Sequence, residues 1–152
     1  MSDNPFVGSW TYRSFNNDPN LADDSNVNNL LFGDGTLVIT ASSSEQLGGT
    51  IGGNLAPNAT WSLNLRGSFG YGSPGQVRFQ GVGIVNGEEW IYDYIGWLVP
   101  VWPNSTDLLQ RAAIVGSVVR TVPHHGTNAD GSMNSTIHPA GVVASFYAVA
   151  VD

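Results

Sequence analysis

The residues able to do chemistry are few and fall in two stretches. All three histidines, His124, His125 and His138, lie in VPHHGTNADGSMNSTIHP, residues 122–139. Adjacent histidines on an extended chain point opposite ways, so His124 and His125 are poorly placed to chelate one ion together. One of them with His138 and a carboxylate such as Asp130 would make an unspecific metal or acid/base site. A solvated loop accounts for the segment more simply, and the expectation is neither metal nor cofactor.

The second stretch, EEWIYDYIGWLVPVWP at 88–103, holds three of the five tryptophans and two of the five tyrosines. Strand alternation puts Glu88, Trp90, Tyr92, Tyr94 and Leu98 on one face, with Glu89, Ile91, Asp93, Ile95 and Trp97 on the other. Neither face is cleanly polar, so both should be covered, by a barrel interior plus a subunit contact or by two packed layers. Tyrosine and tryptophan pair an apolar body with a polar handle, which suits them to ligand pockets. Trp90, Tyr92, Tyr94, Trp97 and Trp102 are therefore the candidate ligand-binding residues, Trp102 as a rigid loop aromatic between two prolines. Asp93, on a covered face, calls for a partner such as Arg111 or Arg78, or else serves as a polarised acid or base.

Composition removes several alternatives. There is no cysteine, hence no disulfide, thiolate nucleophile or cysteine metal site. There is no lysine either; the five basic residues are Arg13, Arg66, Arg78, Arg111 and Arg120, so Schiff-base chemistry and a Walker-type lysine are excluded. A formal charge of -7 disfavours nucleic acid and anionic membrane as partners. Gly70-Tyr71-Gly72-Ser73-Pro74-Gly75 fits G-x-G-x-x-G but joins strand to strand, with no helix N-terminus for a pyrophosphate. Asn58, Asn104 and Asn134 open N-x-[ST] triplets, which matter only in a eukaryotic secretory pathway. No G-x-S-x-G elbow exists for a serine nucleophile.

The elements that must position these residues read as strands. Glycine and proline punctuate short alternating segments, and no window of helical length shows a 3.6 period. Strands are expected at 7–15, 29–32, 36–41, 47–55, 59–69, 76–84, 88–99, 109–122 and 141–151, with turns at Gly33-Asp34-Gly35, 56–58 and 85–87. Sequential hairpins with edges to protect predict an all-β fold, a single antiparallel up-and-down β-barrel of about eight or nine strands spanning residues 1–152 as one domain. Glycines within strands, among them Gly49, Gly52 and Gly81, fit sharply bent barrel strands. The polar segment 16–28, with Asp18, Asn20, Asp23 and Asp24, lacks calcium-loop spacing and reads as a surface loop or a lid. With no apolar run near the roughly 18 residues of a membrane span and no leader-like N-terminus, the expectation is a soluble, cytoplasmic protein.

Gly8-Ser9-Trp10 in the first strand resembles the G-x-W signature of the calycin barrels: lipocalins, fatty-acid-binding proteins and avidins. The resemblance implies that Trp10 plugs the closed end, that Arg120, in GSVVRT, packs across its indole, and that segment 16–28 forms a lid. It also implies a cup for a small, mostly apolar ligand. The sequence departs from the lipocalin pattern in having no C-terminal helix and a further strand after Arg120, and it lacks the biotin-binding array of avidins.

The leading expectation is thus a barrel that binds a small, largely apolar or aromatic molecule. Its rival is a cofactor-independent barrel enzyme, an isomerase, cyclase or hydrolase, working with Tyr, Asp or His and an arginine. A third is an assembly module whose aromatic strand face builds a homo-oligomer.

Overall fold

The computed structural model describes residues 4–21, 27–70, 75–103, 106 and 109–151. The chain forms β1 (Gly8–Asn16), β2 (Leu31–Ala41), β3 (Gln46–Ala56), β4 (Ala59–Gly70), β5 (Gln76–Val85), β6 (Glu88–Val99), β7 (Ala113–Arg120), β8 (His124–Thr127), β9 (Met133–His138) and β10 (Val143–Ala150). Eight of them close into a barrel in the order β1-β10-β7-β6-β5-β4-β3-β2, and β8 pairs with β9 as a separate hairpin. Every barrel pairing is antiparallel. The fold is therefore an up-and-down barrel, whose closure leaves none of its eight strands with a free edge.

Local chemistry explains the hairpins. Between β5 and β6, Asn86 and Gly87 both have positive φ, 53° and 78°, the geometry of a two-residue primed turn whose twist suits the flanking strands. Gly33-Asp34-Gly35, expected as a turn, instead runs inside β2 opposite Ser14, Arg13 and Tyr12. Its glycine serves close approach: a Cβ on Gly35 would lie 2.1 Å from the Gly52 carbonyl oxygen of β3. The expected pair of strands at 29–32 and 36–41 is thus a single strand. The histidine segment, expected as a solvated loop, is the β8–β9 hairpin, with His124 opposite His138. Within segment 16–28, short 3-10 turns cover Pro19–Leu21 and Val27–Leu30, while Asp23 and Asp24 lie outside the described residues. Tyr71 to Pro74 of the glycine-rich match also lie outside them, but Gly70 pairs directly with Gln76, which makes the match a link between paired strands.

Strand alternation sorts the interior. On β6, Trp90, Tyr92, Tyr94 and Gly96 are buried while Glu89 and Asp93 are exposed, so the Trp90-Tyr92-Tyr94 face points inward. One end of the barrel is sealed by Phe6, which stacks on Phe69 at 6.1 Å and accepts at its carbonyl a 3.0 Å hydrogen bond from Trp10 Nε1. Leu37, Ile51, Leu63 and Ile114 fill the middle with essentially no exposure. Each such side chain stabilises the fold by about 1.5–3 kcal/mol through removal of apolar surface from water. No helix among the described residues is long and apolar enough to cross a membrane.

Candidate functional site

At the opposite end, where β1 finishes and β2, β6 and β10 begin, the interior is not filled. A cavity of about 550 Å³ opens there, within the range of small-molecule sites. Its floor is Tyr12, Tyr94 and Val118; its walls include Phe32, Leu55, Trp61, Trp90 and Tyr92; Arg120, His124 and His138 supply polar groups. Gly81 of β5 helps set the floor. A side chain there would meet Leu63 at 3.2 Å and the Tyr94 ring at 3.4 Å, so its absence makes room for both.

The aromatic rings are mutually braced. Tyr94 stacks on Phe79 with centroids 4.7 Å apart and meets Tyr12 edge-on at 6.1 Å. Trp90 lies flat against the His124 imidazole, 3.9 Å between centroids at 15°, and stands 6.4 Å from Trp61. Tyr92 presents its edge to Phe32. Offset and edge-on pairs of this kind add about 0.5–1.5 kcal/mol each beyond burial, and here they hold the cavity wall in one arrangement.

A directed hydrogen-bond chain crosses the mouth. His124 Nδ1 lies 2.9 Å from the His125 carbonyl oxygen, which can only accept, so Nδ1 carries the proton. Nε2 then accepts from the Tyr92 hydroxyl at 2.6 Å, and the Tyr92 oxygen in turn accepts from Arg120 Nε at 3.1 Å. Arg120 Nη1 donates to the Pro139 carbonyl oxygen at 3.2 Å. The guanidinium also lies over the Phe32 ring, 4.9 Å from its centroid. Arg120 is buried, at 6 % exposure, and among the described residues it faces no carboxylate.

Burial sets the protonation of this network. It lowers the pKa of His124, with the Arg120 charge acting in the same direction, and lowers that of His138 with help again from Arg120. Both imidazoles are therefore favoured in the neutral form beside the guanidinium. The Tyr92 and Tyr94 hydroxyls are pushed above the usual phenol value, chiefly by burial; for Tyr92, Arg120 opposes the shift. Both stay protonated at neutral pH. The Trp90 indole N–H is buried and has no acceptor among the described residues, a defect that costs about 1–3 kcal/mol and is uncommon in folded proteins.

The β8–β9 hairpin that carries His124 and His138 is tied down from outside. The Glu88 carboxylate accepts from the His125 backbone N–H at 2.9 Å and contacts His125 Nδ1 at 2.5 Å. His125 holds Glu88 below the ordinary carboxylate range. At the start of the crossing, the Thr121 hydroxyl donates to the Ile91 carbonyl at 3.0 Å. In the hairpin's own turn, Asp130 accepts from the Ser132 amide and hydroxyl, so its carboxylate caps the turn and does not join the histidines. Among the described residues, no cluster of three or more His, Asp or Glu could hold a metal ion.

Of the residues singled out from sequence, Trp90, Tyr92 and Tyr94 line the cavity, and Trp97 and Trp102 do not. Trp97 falls on the outer face of β6 because it is out of phase with Tyr94 by an odd number of residues. Trp102 follows β6 at the sealed end and is 69 % exposed. Arg120 does not cover Trp10: Trp10 starts β1 and Arg120 ends β7, which puts them at opposite ends of the barrel. Asp93 accepts from Gln80 Nε2, directly across the β5–β6 pair, at 2.9 Å in place of an arginine. Tyr12, Phe32 and Trp61 were missed as wall residues. The alternation of β1 carried the signal for Tyr12, since a buried Trp10 implies that Tyr12 and Ser14 also point inward.

The fold and the cavity together define the class: an eight-stranded up-and-down barrel, plugged at one end and open to a polar-lipped aromatic cup at the other. In comparisons with known proteins, no protein-family profile, no curated protein and no solved structure matches the chain.

Proposed function

We propose that the protein binds a small, largely apolar or aromatic molecule in the open-ended cavity. The observation that carries this is a space of about 550 Å³ kept open among braced aromatic rings in an interior that is elsewhere packed. Packed interiors hold few spaces larger than a water molecule, and a concave, aromatic-lined space of this size with a few polar groups is what small-molecule sites present. A calycin-like cup agrees with Trp10 at the sealed end, whereas the place of Arg120 does not follow that pattern.

Native mass spectrometry of protein taken from its source cells is the test. One small molecule per chain is expected, and it should be lost when the floor is filled by Val118→Trp. A bound mass that survives that substitution, or its absence from gently prepared protein, would overturn the reading.

The Arg120–Tyr92–His124 chain favours a second reading, a cofactor-independent acid/base enzyme. Both His124 nitrogens are already engaged and Tyr94 is held protonated by burial, so His138 is the group left to exchange a proton with a substrate. Incubating the recovered molecule with the protein separates the two: a carrier returns it unchanged, and an enzyme converts it.

A further inference from the structure

The lining of the cup is rich in donors. Of the five N–H groups of Arg120, one is on Tyr92 and one on the Pro139 carbonyl, which leaves three without an acceptor among the described residues. Two acidic residues lie near the mouth. Glu88 grips His125, and Asp34, an exposed residue of the cavity lining on β2 opposite Arg13, makes no ion pair with Arg120 among the described residues. A buried cation without a counter-ion is costly unless something supplies the negative charge.

We infer that the cavity takes a flat, largely apolar molecule bearing a single carboxylate, and that Arg120 binds the carboxylate while the rings of Phe32, Trp61 and Trp90 cover the apolar body. The inference rests on the cavity being a ligand site and names the class of ligand. Guanidinium and carboxylate are planar and match in spacing, so two parallel N–H···O bonds can form from the free side of Arg120. A single negative charge is indicated because the chain has no lysine and the lining offers one guanidinium, beside which His124 and His138 are favoured neutral, and already carries one carboxylate, Asp34. The chain's charge of -7 further disfavours a polyanion, whose charge the lone Arg120 could not balance. Tyr92 contributes by positioning: it holds Arg120 Nε and so aims the remaining N–H groups.

Two matched probes, para-biphenyl carboxylate and para-biphenyl carboxamide, test this by calorimetric titration at neutral pH. The intact protein should bind the carboxylate about 10–100-fold more tightly than the amide, as expected for a charge-assisted bond in a dry site. Arg120→Gln should bring the carboxylate down to the level of the amide and leave the amide within about threefold of its original affinity. Equal affinity for the two probes in the intact protein overturns the role of Arg120 and leaves the cavity as a neutral apolar site. Failure of both probes to bind overturns the reading of the cavity itself. The carboxylate-to-amide ratio of the unaltered chain needs no variant to fold, and Arg120→Lys, which retains charge without the fork, should recover only part of the lost affinity.

Discussion

The two ends of the barrel are built from the same strands by the same alternation, yet they are finished with opposite chemistry. At the sealed end, inward positions carry Phe6, Leu47, Phe69 and Val77, and the one polar atom of Trp10 is satisfied by a local carbonyl. At the open end, inward positions of β1, β6 and β7 carry Tyr12 and Ser14, Tyr92, and Arg120, with His124 and His138 folded over from the hairpin. The sealed end is therefore where burial free energy is concentrated. The open end tolerates a buried cation and, among the described residues, an orphaned indole N–H, features that reduce stability and that the proposed ligand would satisfy.

That division makes substitutions at the two ends differ in kind. The largest effect is expected at the sealed end: Trp10→Ala should cost about 3–5 kcal/mol in urea-induced unfolding, through lost burial and an uncollapsed cavity. The folded fraction should keep its affinity for the biphenyl carboxylate. Tyr92→Phe comes next. It leaves His124 Nε2 and Arg120 Nε without their partner, at an expected cost of about 1–3 kcal/mol, and the affinity for that carboxylate should fall as well. By contrast, Arg120→Met should leave the unfolding free energy within about 1 kcal/mol of its original value, because removing a buried charge that faces no carboxylate offsets the loss of its bonds to Tyr92 and Pro139. A loss as large as that of Trp10→Ala would show Arg120 to be a structural brace.

Acid should act on the open end first. The folded pKa values of His124 and His138 are depressed below the ordinary 6.5, so above that value both states are neutral and nothing is lost. As pH falls below 6.5 the unfolded chain takes up protons that the folded one refuses, and stability declines until the folded pKa values are passed. Glu88 acts lower: its depressed pKa contributes stability above 4.5 that is lost as pH falls through the folded value. Ring-proton NMR across this range should show His124 titrating late, together with changes in the Tyr92 signals; a His124 titration at 6.5 would contradict the buried acceptor. The smallest effect is expected for Glu88→Gln, which should speed exchange of the His125 amide while hardly moving the unfolding midpoint.

Much of the fold was legible beforehand because it depends on local pattern. The strand 88–99 was read with its observed bounds, and the turns at 56–58 and 85–87 fall where Pro57-Asn58 and Asn86-Gly87 place them. Gly33-Asp34-Gly35 misled because glycine serves turns and close strand approach equally well. The histidine hairpin was hidden since its strands are short and poorly alternating. For the site, Trp90, Tyr92 and Tyr94 share one face by simple parity, and the same parity should have placed Trp97 outside once their side was known to be inner.

The residues alone thus specified an all-β chain, the strands, and which side chains travel together on each strand face, since a two-residue period requires nothing beyond neighbours. Which end of the barrel stays open, and which polar groups meet there, depends on contacts distant in sequence. Tyr92 reaches Arg120 across 28 residues because β6 and β7 pair in that register, and His124 across 32 because the hairpin returns over the mouth. Register and closure are collective properties of eight strands fitting together, and no stretch of one strand encodes them.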